Sequence, residues 1–270
     1  MAIASFIPQV WGARLQQNLQ KSLVFGSLCN RNYEGDIAQW GDTVHINTLN
    51  DITVKAYNPA TEIDDPEQLS GTDTTLVIDH GAYYNFYIND ADAAQARTDL
   101  MDAAMRNAAY RLAADAESYI LGVIRTGAGS KEVHALPDAE SGGLYNLLLT
   151  IKTRFDQAGV PRHDRKLIVP PALEAMLLMD SRFISGSAAA AEHLAEGAVA
   201  RALGFDIYIS VDLDNELVAM IPDAVTFANQ ITKVEAYRPE KGFSDGMKGL
   251  CLSGAKVTIP AALCYCQLTD

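Results

Sequence analysis

The sequence predicts an α+β protein, and three features of its hydrophobic pattern support that class. One long amphipathic helix spans residues 98–125. Short β-rich runs stand before it, in residues 41–88, and after it, in residues 234–268. Residues 144–226 alternate helices and strands, as an α/β block does. The first and last strands would then form one sheet with the long helix, with the α/β block inserted between them.

The long helix is predicted from apolar residues that recur three or four positions apart and therefore share one face. They are Met101, Met105, Ala108, Leu112, Ala116, Tyr119 and Val123. The opposite face carries Asp102, Arg106, Arg111, Asp115 and Ser118. Thr98 is a candidate N-cap, and Gly127 and Gly129 follow the predicted end. At about 1.5 Å per residue the helix would be roughly 42 Å long. That length suits either a brace for an extended structure or an ordinary core helix.

Before the long helix, the chain reads as an amphipathic segment followed by extended strands. Residues 6–28 have helical spacing and many glutamines, which fits an arm on a neighbouring molecule or a helix packed on the body. Strands are predicted at 43–47, 52–57, 74–79 and 83–88, with turns at Gly41–Asp42, Asn50–Asp51 and His80–Gly81. The acidic residues 58–71 would form the tip of a projecting hairpin. Because a long two-stranded arm is poorly stable alone, it should pack outside its own domain.

After the long helix, the pattern predicts a loop over residues 126–143 and then the α/β block. Helices are predicted at 144–158, 172–179 and 192–202, strands at 166–169, 205–210 and 217–221, and a mobile loop at 181–191. The closing strands are predicted at 234–238, 249–253, 256–259 and 263–268.

Composition narrows the classes of function. The chain has 270 residues, of which 49% are hydrophobic and 20% charged, so a sizeable core is expected. The formal net charge is −13 and Lys and Arg are scattered, which disfavours a tightly held nucleic-acid ligand. The sequence shows neither an apolar run of membrane-spanning length nor a signal-peptide pattern, so a cytoplasmic protein with no membrane partner is expected.

The motifs of common catalytic and cofactor sites are missing from the sequence. It lacks the phosphate-binding and dinucleotide-binding glycine motifs and the nucleophile elbow. Its five histidines are scattered and read as surface or loop residues, and its four cysteines read as buried, reduced thiols. The alternating Asp212, Asp214 and Glu216 could ligate Ca²⁺ or Mg²⁺, but they lack a calcium-loop pattern. Asp90 and Asp92 are explained by capping of the long helix. We therefore predict no catalytic, cofactor-binding or metal site and no enzyme, which would need a pocket of converging titratable groups.

Several segments, in their order and spacing, resemble those of a known family. They are IPQVWGARLQQNLQKSLVFGSLCN at residues 7–30, GDTV at 41–44, residues 61–96, ALGF at 202–205 running into IYIS at 207–210, and VEAYRP at 234–239. The chain resembles the tailed-bacteriophage major capsid (coat) proteins of the Hong Kong 97 fold, over nearly its whole length.

The resemblance implies four parts. Residues 1–26 would be an N-terminal arm and residues 41–86 an extended β-hairpin loop, both reaching neighbouring subunits. Residues 27–40, 87–143 and 227–270 would form the peripheral domain, with residues 98–125 as its spine helix. Residues 144–226 would form the axial α/β domain, gathered around the symmetry axes, with residues 181–197 as a candidate axial tip.

The function implied by the resemblance is structural. Copies of the chain would self-assemble into pentamers and hexamers of an icosahedral phage head, which encloses double-stranded DNA without sequence-specific binding. Assembly would take place in the host bacterial cytoplasm, with a portal protein as a partner. A separate scaffolding protein is expected because the chain begins almost at the arm. Lys55 lies in the extended loop, but no cross-linking motif matches. The alternative is an encapsulin-like nanocompartment shell, which shares the fold and packages protein cargo.

Overall fold

The computed structural model describes residues 24–34, 40–49, 52–54, 65–66, 68, 71–89, 100–135, 143–179, 201–239 and 244–269. The helices are α1 (Phe25–Leu28), α2 (Leu100–Gly127), α3 (Gly143–Gln157) and α4 (Pro171–Met179). The strands are β1 (Thr43–Leu49), β2 (Gly71–Val77), β3 (His80–Asn89), β4 (Ser130–Ala135), β5 (Lys166–Val169), β6 (Arg201–Ala202), β7 (Phe205–Ile209), β8 (Glu216–Met220), β9 (Val225–Tyr237), β10 (Ser244–Val257) and β11 (Leu263–Thr269). Short 3₁₀ turns stand at Pro222–Ala224 and Pro260–Ala262.

Helix α2 confirms the predicted long helix, with its end two residues later than expected. Gly127, which was expected to follow the helix, belongs to its last turn. Thr98, the candidate N-cap, lies outside the described residues. The helix packs against β3 and β10. Its buried face contains Met105, Ala109, Leu112, Ala113, Ala116, Ile120, Leu121 and Ile124. Tyr119 and Val123 lie at the margin of that face, so the predicted apolar stripe was slightly rotated from the real one.

Strands β3, β10 and β9 form an antiparallel sheet with β10 in the centre. Two strands were predicted at 249–253 and 256–259, but β10 runs unbroken through the first and ends at Val257, within the second. Two strands were predicted because Gly254 lies between them, and a glycine in the sequence suggests the end of a strand. In the fold it allows close backbone approach, because a Cβ there would meet the Val77 carbonyl oxygen at 2.5 Å.

The second large sheet is mixed and has the order β4-β11-β8-β5-β7-β6. It corrects three predictions. The loop expected over 126–143 contains β4, which pairs in parallel with β11. Strand β11 also pairs with β8, so it does not share a sheet with β9 and β10. Residues 201–202 form β6 and not the end of a helix, with Gly204 at φ +89° in the turn to β7.

Strands β1 and β2 form a two-stranded antiparallel sheet. It packs against β9 and β10 through a small second core of Val44, Ile46, Leu76, Ile78, Ala228 and Leu252. The expected turn at His80–Gly81 is wrong, because β3 begins at His80. Of the strand predicted at 52–57, only residues 52–54 are described; they belong to no helix or strand, and Val54 is 93% exposed.

Other predicted segments lie outside the described residues. They are the helix before residue 24, Asp90 and Asp92, the loop at 181–191, residues 192–200, and most of the acidic tip at 58–71. The main core is continuous from α2 through both large sheets to α3 and α4.

Candidate functional site

The three carboxylates considered as metal ligands do not converge. Glu216 accepts hydrogen bonds from Arg125 at 2.6 Å and from the Tyr265 hydroxyl at 2.7 Å. Asp212 instead acts on the Glu117 carboxyl, whose pKa it helps to raise, and Asp214 is exposed. Within the described ranges, no group of three or more His, Cys, Asp or Glu side chains could hold a metal ion.

Three of the five histidines lie beside single carboxylates on separate elements. The ring-to-carboxylate distances are 2.7 Å for His45–Asp73, 2.6 Å for His80–Asp115 and 2.7 Å for His134–Glu132. His163 is exposed, and His193 lies outside the described residues. The described histidines are therefore distributed over the surface of the fold and do not form one site.

The four cysteines are free and buried. Burial raises the pKa of the Cys29 and Cys266 thiols to about 12 and that of Cys251 to about 11. Because the thiolate is the reactive form, these residues are inert packing groups.

Polar side chains join helix α2 to both large sheets. Near its end, Arg125 donates to Glu216 on β8, and Tyr265 on β11 donates to the same carboxylate. Near its middle, the Tyr119 hydroxyl donates to Asp79 at 2.7 Å and accepts from the Ala255 N–H at 3.3 Å. Burial raises the pKa of Tyr119 to about 12, so this donor stays protonated. The helix is thus held in a fixed position relative to both sheets.

Glu117 is an acidic residue on the buried face of α2, with only 6% of its surface exposed. Its Oε1 accepts hydrogen bonds from the backbone N–H groups of Val24 and, at 3.3 Å, Phe25. Burial, with the hydrogen bond to Asp212 second, raises the pKa of Glu117 to about 7. The sequence analysis did not single out Glu117, although its position beside Ala116 and Ile120 within the apolar stripe was a usable signal.

The outward side of the three-stranded sheet carries aromatic residues, and we call it the tyrosine face. Tyr83 is 78% exposed and Tyr87 is 63% exposed, on alternate positions of β3. Tyr237 on β9 donates to Asn85 between them at 2.6 Å. Lys248 pairs across strands with Glu235 at 2.9 Å. Large exposed aromatic groups on a rigid sheet are typical of a protein–protein contact.

The edge of β3 adds to this candidate contact surface. Among the described strands, β3 pairs only with β10, so its other edge has no strand partner. An open groove of about 620 Å³ lies between β3 and α2, lined among others by Tyr84, Phe86, Ala108 and Arg111. Unpaired strand edges can pair with another chain.

Comparison with known proteins shows which family the chain belongs to. The sequence model of the family described as phage capsid protein matches residues 71–265. The chain belongs to this family. It is a structural protein of the phage capsid, and thus a component of the virion, as the sequence resemblance predicted. No curated protein sequence matches the chain.

Solved capsid structures share its fold. A solved structure from Mycobacterium phage Che8 is 27% identical, aligns over 90% of each chain and has a TM-score of 0.76. The capsid of cyanophage P-SCSP1u is 16% identical, covers 92% of this chain and 88% of its own, and has a TM-score of 0.70. A virus-like particle from Pyrococcus furiosus is 14% identical, covers 97% of this chain and all of its own, and has a TM-score of 0.62. The mixed α+β architecture with several sheets therefore matches phage capsid folds.

None of the helices in the described part of the capsid protein is long and apolar enough to cross a membrane.

Proposed function

We propose that many copies of this capsid protein self-assemble into pentamers and hexamers and close an icosahedral head around double-stranded DNA. The observation that carries the proposal is the family match over residues 71–265, together with fold similarity over about nine-tenths of both chains. The tyrosine face and the free edge of β3 supply a surface suited to contacts between subunits. Ring-forming contacts of this kind close about symmetry axes.

Within the shell, each part of the chain has a separate role. Residues 1–26 act as an arm and residues 41–86 as the extended loop, both on neighbouring subunits. One end of the β1–β2 pair packs on the three-stranded sheet through Ala228 and Leu252, so the rest of the extended loop is the part that would reach a neighbouring subunit. Residues 27–40, 87–143 and 227–270 form the peripheral domain and residues 144–226 the axial domain. Strands β4 and β11 share the six-stranded sheet with β5 to β8, so this sheet would connect the two proposed domains.

The partners follow from the family resemblance. They are further copies of the chain, a separate scaffolding protein and a portal protein, with assembly in the host bacterial cytoplasm. The net charge of −13 supports DNA enclosure without tight binding, because like charges repel and the DNA stays free to move. A cargo-packaging nanocompartment is the second candidate. The likeness to the Pyrococcus furiosus particle concerns the fold alone, at 14% identity, so the family match favours the phage head.

The proposal is tested by deleting residues 58–71, the acidic end of the extended loop. We expect a folded, soluble subunit with a normal circular dichroism spectrum that no longer closes shells. Light scattering after size exclusion and negative-stain electron microscopy of the same fractions measure assembly, with a co-expressed scaffold where one is needed.

A matched control replaces residues 58–71 by a Gly/Ser sequence of equal length, which separates the reach of the loop from its acidic side chains. If the deletion variant forms normal shells, the loop is not a contact between subunits. If the unaltered chain stays monomeric beside its own scaffold, the shell function itself is wrong.

A further inference from the structure

The two-stranded sheet of β1 and β2 joins the body through a very short link. Strand β2 ends at Val77 and β3 begins at His80, so two residues separate the two-stranded sheet from the three-stranded one. The backbone of Ile78, in this link, donates to the Asp42 carbonyl oxygen at 3.0 Å and accepts from the Gly41 N–H at 3.0 Å. Because Gly41 and Asp42 lie directly before β1, both connections leave the body side by side.

Apolar packing holds the link on one side of the three-stranded sheet. The second core joins β1 and β2 to Ala228 on β9 and Leu252 on β10. Cys251, the neighbour of Leu252, belongs instead to the main core with α2, since successive side chains of a strand point to opposite faces. The second core and α2 therefore lie on opposite sides of β10. Apolar contact is non-directional, so the second core attaches the β1–β2 sheet without fixing the angle at which it leaves.

On the side of α2, two consecutive residues at the link contact two residues that are one helical turn apart. The Tyr119 hydroxyl donates to Asp79 Oδ1 at 2.7 Å. His80 Nε2 lies 2.6 Å from Asp115 Oδ2. The His80 and Tyr119 rings stack, with 4.3 Å between their centroids and 12° between their planes. Since residues four apart on a helix are neighbours on its surface, these contacts form one cluster. We call it the junction clamp, and its members are Asp79, His80, Asp115 and Tyr119.

The junction clamp also contacts the central strand of the sheet. The Tyr119 hydroxyl accepts from the N–H of Ala255 on β10 at 3.3 Å. Ala255 follows Gly254, where the last residue of β2 comes so close that a Cβ would lie 2.5 Å from the Val77 carbonyl oxygen. The helix, β10 and the link thus meet at one point. Because hydrogen bonds require a narrow range of distances and angles, they oppose rotation at this point as well as separation.

We propose that the junction clamp fixes the angle at which the β1–β2 sheet leaves the body and couples that angle to the position of α2. The second core keeps the sheet attached, and the clamp sets its direction. Without the clamp, the sheet swings about residues 78–79 while β1 and β2 stay paired. All of these contacts lie within one subunit, so the clamp acts whether or not the proposed shell forms.

The length of β2 determines how far such a swing moves the end of the sheet. Strand β2 has seven residues, which at about 3.3 Å each make a lever of about 23 Å. A rotation of about 15° at the link therefore moves Gly71, at the far end of β2, by about 6 Å.

Pulsed electron–electron double resonance between two nitroxide labels measures this angle in the full-length, unassembled subunit. The labels are attached to two introduced cysteines, Gly71→Cys at the far end of β2 and Gln157→Cys at the end of α3, both at exposed positions. The four native cysteines are buried, so the label reacts with the introduced thiols. With the clamp intact, we expect one narrow distribution of distances between the labels.

The double variant His80→Phe, Tyr119→Phe, made in this labelled chain, keeps both aromatic rings and removes both polar links. We expect the distance distribution to shift or broaden by about 6 Å. The matched control is His45→Phe, which removes a histidine–carboxylate contact of similar length, His45–Asp73 at 2.7 Å, from within the β1–β2 sheet. It should leave the distribution unchanged, because that contact does not reach the body.

A second pair of variants keeps the test decisive if the aromatic double variant does not fold. Asp79→Ala and Asp115→Ala together remove two exposed carboxylates and should change the distance distribution as the first variant does. Asp73→Ala, which removes the partner of His45, should not. The clamp is wrong if the folded clamp variant keeps the narrow distribution, if the unaltered chain already has a broad one, or if a control changes it as much as the clamp variant.

Discussion

Two arginines in the α/β block contact the same carboxylate, and one is buried while the other is exposed. This difference in burial leads to a sharp prediction about stability. Arg165 and Arg162 both contact Asp156, at 2.8 Å and 3.2 Å. The side chain of Arg165 is 2% exposed, whereas that of Arg162 is 80% exposed. The hydrogen bond from Arg165 is the main reason that the pKa of Asp156 lies below its ordinary value. We predict that replacing each arginine by methionine will have very different effects on the free energy of unfolding.

The expected loss in the free energy of unfolding for Arg165→Met depends on the groups that lose the guanidinium as a partner. It donates to the carbonyl oxygens of Val160 at 2.6 Å and Pro161 at 2.8 Å, and it lies 5.5 Å from the centre of the Phe155 ring. Methionine fills similar space against the ring, so the loss is electrostatic and not one of volume. Asp156 keeps Arg162 and contact with water, so the main loss comes from the Val160 and Pro161 carbonyl oxygens, which are left without their side-chain donor. Leaving buried acceptors unsatisfied costs about 1–3 kcal/mol, and we expect a loss of about 2 kcal/mol.

Arg162→Met is the matched control, because it removes the same kind of side chain from the same carboxylate at an exposed position. We expect it to change the free energy of unfolding by less than about 0.5 kcal/mol. Urea unfolding of the unassembled subunit, followed by far-ultraviolet circular dichroism, gives both values. A difference below about 1 kcal/mol between the two variants would refute the argument that burial decides the strength of these ion pairs.

The remaining predictions concern two glycines and the tyrosine face. Gly254→Ala should destabilise the subunit by about 1–3 kcal/mol, because the new Cβ meets the Val77 carbonyl oxygen and the Ile78 side chain. Gly122→Ala, on α2 with no atom within 4 Å of the new Cβ, should stabilise it by about 0.5–1 kcal/mol in the same urea experiment. Equal effects from both would contradict the role given to close backbone approach. The double variant Tyr83→Ser, Tyr87→Ser should keep the unfolding midpoint of the subunit and lose shell assembly in electron micrographs. Normal shells from it would show that the tyrosine face is not a contact between subunits.

Much of the fold could be predicted from local pattern. The helical spacing from Met101 to Val123 predicted α2, and the apolar run at residues 166–169 predicted β5. Both succeeded because each periodic pattern matches the geometry of one element and is read within a few neighbouring residues. The same reasoning missed β4 and broke β10 in two, since KEVH offers no clear alternation and Gly254 reads as a turn.

Glu117 shows why the chemistry was harder to predict than the elements. Its sequence neighbours, Ala116 and Ser118, say nothing about its charge state. The raised pKa depends on burial and on Asp212, which lies far along the chain. The exposed positions of Tyr83 and Tyr87 depended likewise on which side of β3 the long helix covers. The apolar stripe around Glu117 indicates its burial, but no local pattern indicates its second acid or the side of β3 that the helix covers.

By itself, then, the sequence determined the α+β class, the long helix, most strands and the resemblance to phage capsid proteins that the family match confirmed. The tertiary structure alone decided that β11 joins β4 and β8, that Gly254 is a contact point and that Glu117 is buried beside a second acid. The physical reason is the distance along the sequence over which each kind of interaction acts. Periodicity and turn chemistry act between near neighbours, whereas strand pairing, desolvation and charge repulsion act between residues that only folding brings together.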